Sequence, residues 1–285
     1  MNQAANRMPF RVALVQMHVV GGTKRRNLDH ALDLIAEASD RGADLVLLPE
    51  AMDLGWTHPS SRSDAEPVPE GMPCCALADA AARHGIFLCA GLTEAAGEQV
   101  FNTGIILDRR GKLLCKHRKL NELTIGQNCY DQGDRLGVVH TELGTLGLMI
   151  CADGFAKDQV LSRSLGYMGA DLILSPCAWA VAADHDNHKA PYGGIWRDAY
   201  TPVAKAFSLW IMAVSNVGLI AGGPWQGRKC IGCSLAVGPD GQEVVQGPYG
   251  IDAETILLVD VKLGARPARG CGWKELWREG SPGST

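Results

Sequence analysis

Three residues of different chemistry each stand at or just past the end of an apolar run. Glu50 closes ADLVLLPE, Lys119 lies in CKHRKL after GKLL, and Cys151 follows LGLMI. A thiol near its reference pKa of about 8.5 is mostly protonated at neutral pH, so it needs a base or a nearby cation before it can attack. A carboxylate can take that proton, and an ammonium can hold an oxyanion. Taken singly, each has a plain structural reading: Glu50 as a turn residue, Lys119 as part of a solvated basic stretch, Cys151 as a small core residue. The joint pattern, three complementary groups at strand ends where α/β sheets collect catalytic side chains, points to nucleophilic chemistry on a thiol.

The elements that must position these groups are short apolar, β-branched runs with turn signals between them, including RVALVQM, ADLVLLPE, GIFLCAGL, GKLLCKH, ADLILSP and TILLVDV. Between some of them apolar residues recur at helical spacing, as at Leu28, Ala31, Leu32 and Ile35 of RRNLDHALDLIAEASDRGA. KDQVLSRSLGYMGA and YTPVAKAFS read the same way. Strands alternating with helices, plus a late hairpin in AVGPDGQEVVQ, predict an α/β protein with mixed sheets. GADLVLLPEAM (42–52) and GADLILSPCAW (169–179) echo one another, each following a helical stretch. They read either as two related helix–strand units, one in each half, or as a chance similarity of two loops.

Composition narrows the function classes. Over 285 residues, 46% hydrophobic and 20% charged content is ordinary for a soluble globular chain. A formal net charge of -4 and no basic cluster argue against nucleic acid or an anionic membrane surface as partner. FRVALVQMHVV is too short to span a bilayer and reads as a first strand. Ten cysteines without an export signal, several inside apolar runs, read as reduced thiols and a cytoplasmic location. CIGC (230–233) has redox or zinc spacing but no second pair, so core cysteines are the expectation, and HDNH (185–188) reads as a solvated loop. Nucleophile-elbow, phosphate-loop, dinucleotide and zinc-protease motifs are absent from the sequence. No metal and no organic cofactor is expected. The chain reads as one domain over 1–285, its core at about 10–262, with 263–285 as a surface or interface tail.

LVLLPEA, HRKL with QGD downstream, and GLMICAD resemble, in order and spacing, the three signature segments of the nitrilase superfamily, the carbon–nitrogen hydrolases. GADLILSPCAW and SNVG extend the likeness, which covers about Arg11 to Val261. The resemblance implies a four-layer αββα sandwich of two mixed β-sheets flanked by helices, a homodimer or higher homo-oligomer, and a Glu–Lys–Cys triad at Glu50, Lys119 and Cys151. It also implies hydrolysis of a small amide through a thioester on Cys151, with a backbone N–H near Ala152 helping Lys119 hold the oxyanion. Many relatives carry a second glutamate seven or eight residues after the lysine, but Gly126 and Gln127 stand there. Glu122, three residues after Lys119, is the alternative.

Cys151-Ala152-Asp153 is closer to the amidase-like branches than the Cys-Trp-Glu of nitrilases. Phe155 and Ala156 stand where N-carbamoyl hydrolases tend to place arginines, although Arg197 offers a cation for a substrate carboxylate. Trp56, Trp179, Tyr192 and Trp196 are expected in loops, either walling a site for a small, fairly apolar amide or plugging the core or an interface. The expected activity is therefore an amidohydrolase of small carboxamides. Nitrile or N-carbamoyl hydrolysis, or a ligand-binding member that has lost turnover, are the alternatives.

Overall fold

The computed structural model describes residues 8–267. The tail expectation therefore falls largely on residues outside those described. The strands, in chain order, are β1 (Phe10–Gln16), β2 (Leu45–Leu47), β3 (Phe87–Ala96), β4 (Gln99–Leu107), β5 (Leu113–Arg118), β6 (Val138–Thr141), β7 (Gly144–Leu148) and β8 (Leu172–Cys177). They continue with β9 (Ala180–Val181), β10 (Trp210–Ser215), β11 (Val217–Leu219), β12 (Lys229–Ile231), β13 (Leu235–Val237), β14 (Glu243–Gln246) and β15 (Thr255–Val261). Helices are α1 (Lys24–Asp40), α2 (Ser61–Asp64), α3 (Met72–His84), α4 (Val160–Tyr167) and α5 (Gly194–Phe207).

Two six-stranded sheets form, ordered β15-β1-β2-β3-β4-β5 and β14-β13-β10-β8-β7-β6, with a small sheet β11-β12-β9 beside them. In each large sheet the central strands run parallel and the outer ones antiparallel, so both are mixed. Alternation along the strands builds the layers. Val12 and Leu14 of β1 join Leu146, Leu148, Leu172 and Met212 in the core between the sheets. Ala13 and Val15 point the other way, into a core shared with Leu28, Ala31 and Ile35 of α1 and Leu77 and Ala81 of α3. On the far face Ile173 and Ile211 meet Leu165 of α4 and Val203 and Ala204 of α5. Period-2 strands with both faces apolar require a helix layer on each outside. The result is the four-layer αββα sandwich.

Two expectations about local structure need correction. The strand leading toward Cys151 ends at Leu148, and Cys151 opens a short 3₁₀ turn, Cys151–Phe155, with φ +44°. A non-glycine residue in the left-handed region costs on the order of 1–3 kcal/mol, and such strain concentrates at functional sites. Trp196 lies not in a loop but in the first turn of α5, which begins six residues before the periodic stretch YTPVAKAFS, because Gly193 and Gly194 let the chain enter the helix there. The β13–β14 hairpin is present as expected. The nine described cysteines are unpaired, and those of CIGC are buried thiols. No helix among the described residues is long and apolar enough to cross a membrane.

Candidate active site

Glu50 is aimed by a tight junction between the sheets. Past β2, the Leu48 N–H donates to Cys89 O and the Glu50 N–H to Cys177 O of the opposite sheet. Gly91 on β3 lets this happen: a Cβ there would lie 2.5 Å from the Glu50 Cα and 2.8 Å from Pro49 O. Lys119 follows β5, its N–H donating to Asn102 O and its carbonyl accepting from Gly133, the glycine of the QGD segment. That ties two separated parts of the signature into one loop.

Glu50, Lys119 and Cys151 line a single cavity of about 180 Å³, together with Ala152 and a largely aromatic wall. Lys119 Nζ donates to Glu50 Oε1 at 2.7 Å and to Glu122 Oε1 at 3.0 Å, all three side chains being almost fully buried. Asn102 Nδ2 bridges the same two carboxylates, at 2.6 Å to Glu50 Oε1 and 3.1 Å to Glu122 Oε2. Glu50 Oε2 is buried and has no partner among the described residues, which leaves a lone pair for a proton from a neighbour or a ligand. Glu122 thus occupies the place beside the lysine that the resemblance assigns to a second glutamate.

The electrostatics follow from burial with unequal compensation. Burial raises the Glu50 carboxyl above the ordinary glutamate range, and Glu122 adds to this, while Lys119 and Asn102 only partly offset it. Burial alone would lower Lys119, but Glu50 and Glu122 hold its ammonium well above its usual value. Burial also raises the Cys151 thiol well above a free cysteine, as do Cys177 and Glu50, against an opposing pull from Lys119. At neutral pH this thiol is protonated, so it needs a base.

Asp153, two residues past Cys151, gathers four hydrogen bonds. Its Oδ1 accepts the backbone N–H groups of Leu120 and Asn121, and its Oδ2 accepts from Ile150 N and His117 Nε2, between 2.7 and 3.1 Å. Burial raises Asp153, yet His117 and Ile150 N–H hold it below the ordinary carboxylate range. One carboxylate therefore clips the Lys119 loop to the Cys151 turn. His117 Nδ1 faces Arg135 O at 3.1 Å.

Trp56, Trp179, Tyr192 and Trp196 line the cavity, with Lys119 Nζ 5.6 Å from the Trp56 ring centroid. Arg197 does not line it. Its guanidinium is taken by Glu243 and by Gln246, whose own amide donates to Tyr192 O, so the arginine supports the wall from behind. Sequence reasoning missed Asn102, His117, Phe155 and Trp225. Asn102 had a readable signal, because an asparagine inside the apolar strand VFNTGIIL needs a buried partner.

The carbon-nitrogen hydrolase family model matches residues 11–267. The chain is 34% identical over 171 residues to a nitrilase of Pyrococcus abyssi, covering 58% of this chain and 64% of that protein. It is 30% identical to a chloroplastic omega-amidase of Arabidopsis thaliana, covering 60% and 49%. The match therefore spans less than two thirds of either relative. Among solved structures, a carbon-nitrogen hydrolase from Helicobacter pylori superposes with a TM-score of 0.79 at 19% identity, covering 89% of both chains. A double mutant of the amidase from Nesterenkonia sp. AN1 in complex with acrylamide gives 0.74 at 23%, covering 89% of this chain and 90% of that one. With the family model spanning nearly the whole described fold, the chain belongs to the carbon–nitrogen hydrolase family.

Proposed function

We propose that this protein is a cysteine-dependent amidohydrolase that cleaves the C–N bond of a small carboxamide and releases ammonia or an amine. The observation that carries the reading is the Lys119 ammonium shared between the Glu50 and Glu122 carboxylates in the cavity that also exposes Cys151.

Glu50 takes the Cys151 proton, and the thiolate attacks the amide carbonyl carbon. The C=O electrons move to oxygen, where the Lys119 ammonium and the Ala152 N–H hold the oxyanion. The raised affinity of Glu50 for a proton suits both halves of its task, base and then acid. As the tetrahedral species collapses, Glu50 passes its proton to the departing nitrogen and the C–N bond breaks, leaving a thioester on Cys151. Glu50 then takes a proton from water, the hydroxide attacks the thioester, and the acid leaves. The proton on Glu50 returns to the cysteine. Glu122 keeps Lys119 charged and fixed, and Asn102 holds the two carboxylates in register.

Support from relatives is parallel. The Nesterenkonia amidase structures include one showing Michael addition of acrylamide at the active site cysteine and one in complex with butyramide. Nitrile hydrolysis is the rival, since a nitrilase is among the related proteins. The test is ammonia release over a panel of amides, nitriles and N-carbamoyl compounds by the wild type and by Cys151→Ala, with mass spectrometry for the thioester. Amide turnover lost in the variant is expected. No turnover of any compound, or turnover unchanged in the variant, overturns the reading, and nitrile turnover above amide turnover shifts it to the rival.

A further inference from the structure

The cavity's charge and shape say more about the substrate than its reaction class does. Among its lining residues the only cation is Lys119, and two carboxylates already match that charge. Arg197 is engaged elsewhere, and Arg228 lies over the Trp225 ring, 4.3 Å from its centroid, outside the lining. A substrate carboxylate placed here would lose its water and meet no free positive partner, which costs several kcal/mol per ion.

Flat apolar surface is abundant. Trp179 and Trp196 stack at 4.5 Å with 21° between their planes, and Phe155 lies 4.2 Å from Trp196. Trp56 and Trp225 meet edge to face at 5.2 Å in a separate cluster bordering the same space. Trp56 and Trp179 also carry buried indole N–H groups with no partner among the described residues. At about 180 Å³ the space exceeds the roughly 150 Å³ apolar cavity that accepts benzene. It has room for one ring with a carboxamide attached.

Building on the amidohydrolase reading, we propose that the acyl side of the substrate is a single uncharged aromatic ring. The preferred substrates are then monocyclic aryl or arylalkyl carboxamides, and amides ending in a carboxylate are rejected. Phe155 and Trp196 set this specificity by contact with the ring.

Equilibrium binding to Cys151→Ala protein tests this independently of turnover, using phenylacetamide, butyramide and succinamate as probes. Phenylacetamide is expected to bind at least about tenfold more tightly than butyramide, because more apolar surface is buried. Succinamate is expected to bind more weakly than both. Trp196→Leu, added to Cys151→Ala, should reduce phenylacetamide binding more than butyramide binding. Phe155→Leu gives the same reading at a side chain already 40% exposed, where folding is not at stake. Succinamate binding as tightly as phenylacetamide, or phenylacetamide binding no better than butyramide, overturns the proposal. Wild-type ammonia release reports on the hydrolase reading separately: aromatic preference in binding with no turnover of any amide sinks the reaction and keeps the ligand class.

Discussion

The two halves of the chain are built on one plan, and only one of them carries Glu50, the proposed base. β1, β2 and β3 run parallel with Val12 beside Leu45 and Leu45 beside Phe87; β7, β8 and β10 do the same with Leu146 beside Leu172 and Leu172 beside Trp210. Asp44 opens β2, donating to Arg11 O, accepting from Arg11 N and pairing with Arg109. Asp171 opens β8, donating to Thr145 O, accepting from Thr145 N and pairing with Arg266. This matched register turns the echo between GADLVLLPEAM and GADLILSPCAW into a structural repeat. At equivalent positions in the matched register, Glu50 corresponds to Cys177, and Cys151 corresponds to the buried Met17. The scaffold is doubled, whereas the chemistry takes one position from each copy and leaves its mirror position apolar or inert.

The largest expected effect separates those mirror positions. Glu50→Gln removes the base and should lower kcat by 10³-fold or more, within the usual range of about 10²–10⁴ for one acid–base group and the extra loss of leaving-group protonation. Cys177→Ala should stay within a few fold, because the Cys177 thiol, although it faces Cys151 and Ser175, carries no charge in the proposed mechanism. Steady-state kinetics on one amide, with circular dichroism to check folding, would break the comparison if the two variants lost activity equally.

Next comes the clip. Asp153→Asn keeps the shape but replaces one acceptor oxygen with an NH₂ that faces donors. Leu120 N, Asn121 N, Ile150 N and His117 all lean on that carboxylate. A stability loss of about 1–3 kcal/mol is expected from denaturant titration, since the change leaves a buried donor facing the new NH₂ without an acceptor. Stability should also fall with acid. Asp153 sits below its ordinary value in the fold, so its contribution is present above the unfolded pKa and disappears as the pH drops through the folded one. Asp153→Asn should flatten that part of the stability–pH curve.

Much of the site was legible, and the reasons differ by residue. Glu50, Lys119 and Cys151 were readable because charge or nucleophilicity at the end of an apolar run needs explaining, and three such cases complement one another. The hub at Asp153 was not legible because three of its four donors, on His117, Leu120 and Asn121, lie in a distant stretch that only folding brings to it. The role of Arg197 was misread because a cation next to Trp196 in sequence says nothing about which side of α5 it leaves from. In the structure Glu243 and Gln246 of β14 claim it. The strand expected to reach Cys151 stopped at Leu148, since apolar composition continues through Met149 and Ile150 while pairing does not.

The pH profile gives a smaller, signed effect. Because Glu50 is raised, kcat/KM should fall with acid at a higher pH than an ordinary glutamate would give. Glu122→Gln removes a neighbouring negative charge, so the acid limb should move to lower pH, along with a drop in rate of about 10²-fold from a less well-held Lys119. Asn102→Ala removes a donor to Glu50 and should move the limb to higher pH. Limbs moving the same way in both variants would show that another group governs the profile. Against this, the paired aspartates should differ only in stability: Asp171→Asn by about 1–2 kcal/mol and the more exposed Asp44→Asn by less than about 1 kcal/mol.

The smallest effect is expected at Arg197, and it discriminates best between two uses of the same residue. Its side chain and that of Glu243 are each about a third exposed, so their ion pair is worth less than about 1 kcal/mol after solvent screening. Arg197→Met keeps the aliphatic stem and discards the charge. If Arg197 held a substrate carboxylate, this change would raise KM for anionic amides and spare neutral ones. The observed path runs from Arg197 through Gln246 to the Tyr192 carbonyl, so what is lost is a support for the pocket wall, felt equally by every substrate. KM should therefore rise by no more than about threefold for phenylacetamide and succinamate alike. A selective rise for the anionic amide would return Arg197 to the binding site and give the cavity a second cation beside Lys119.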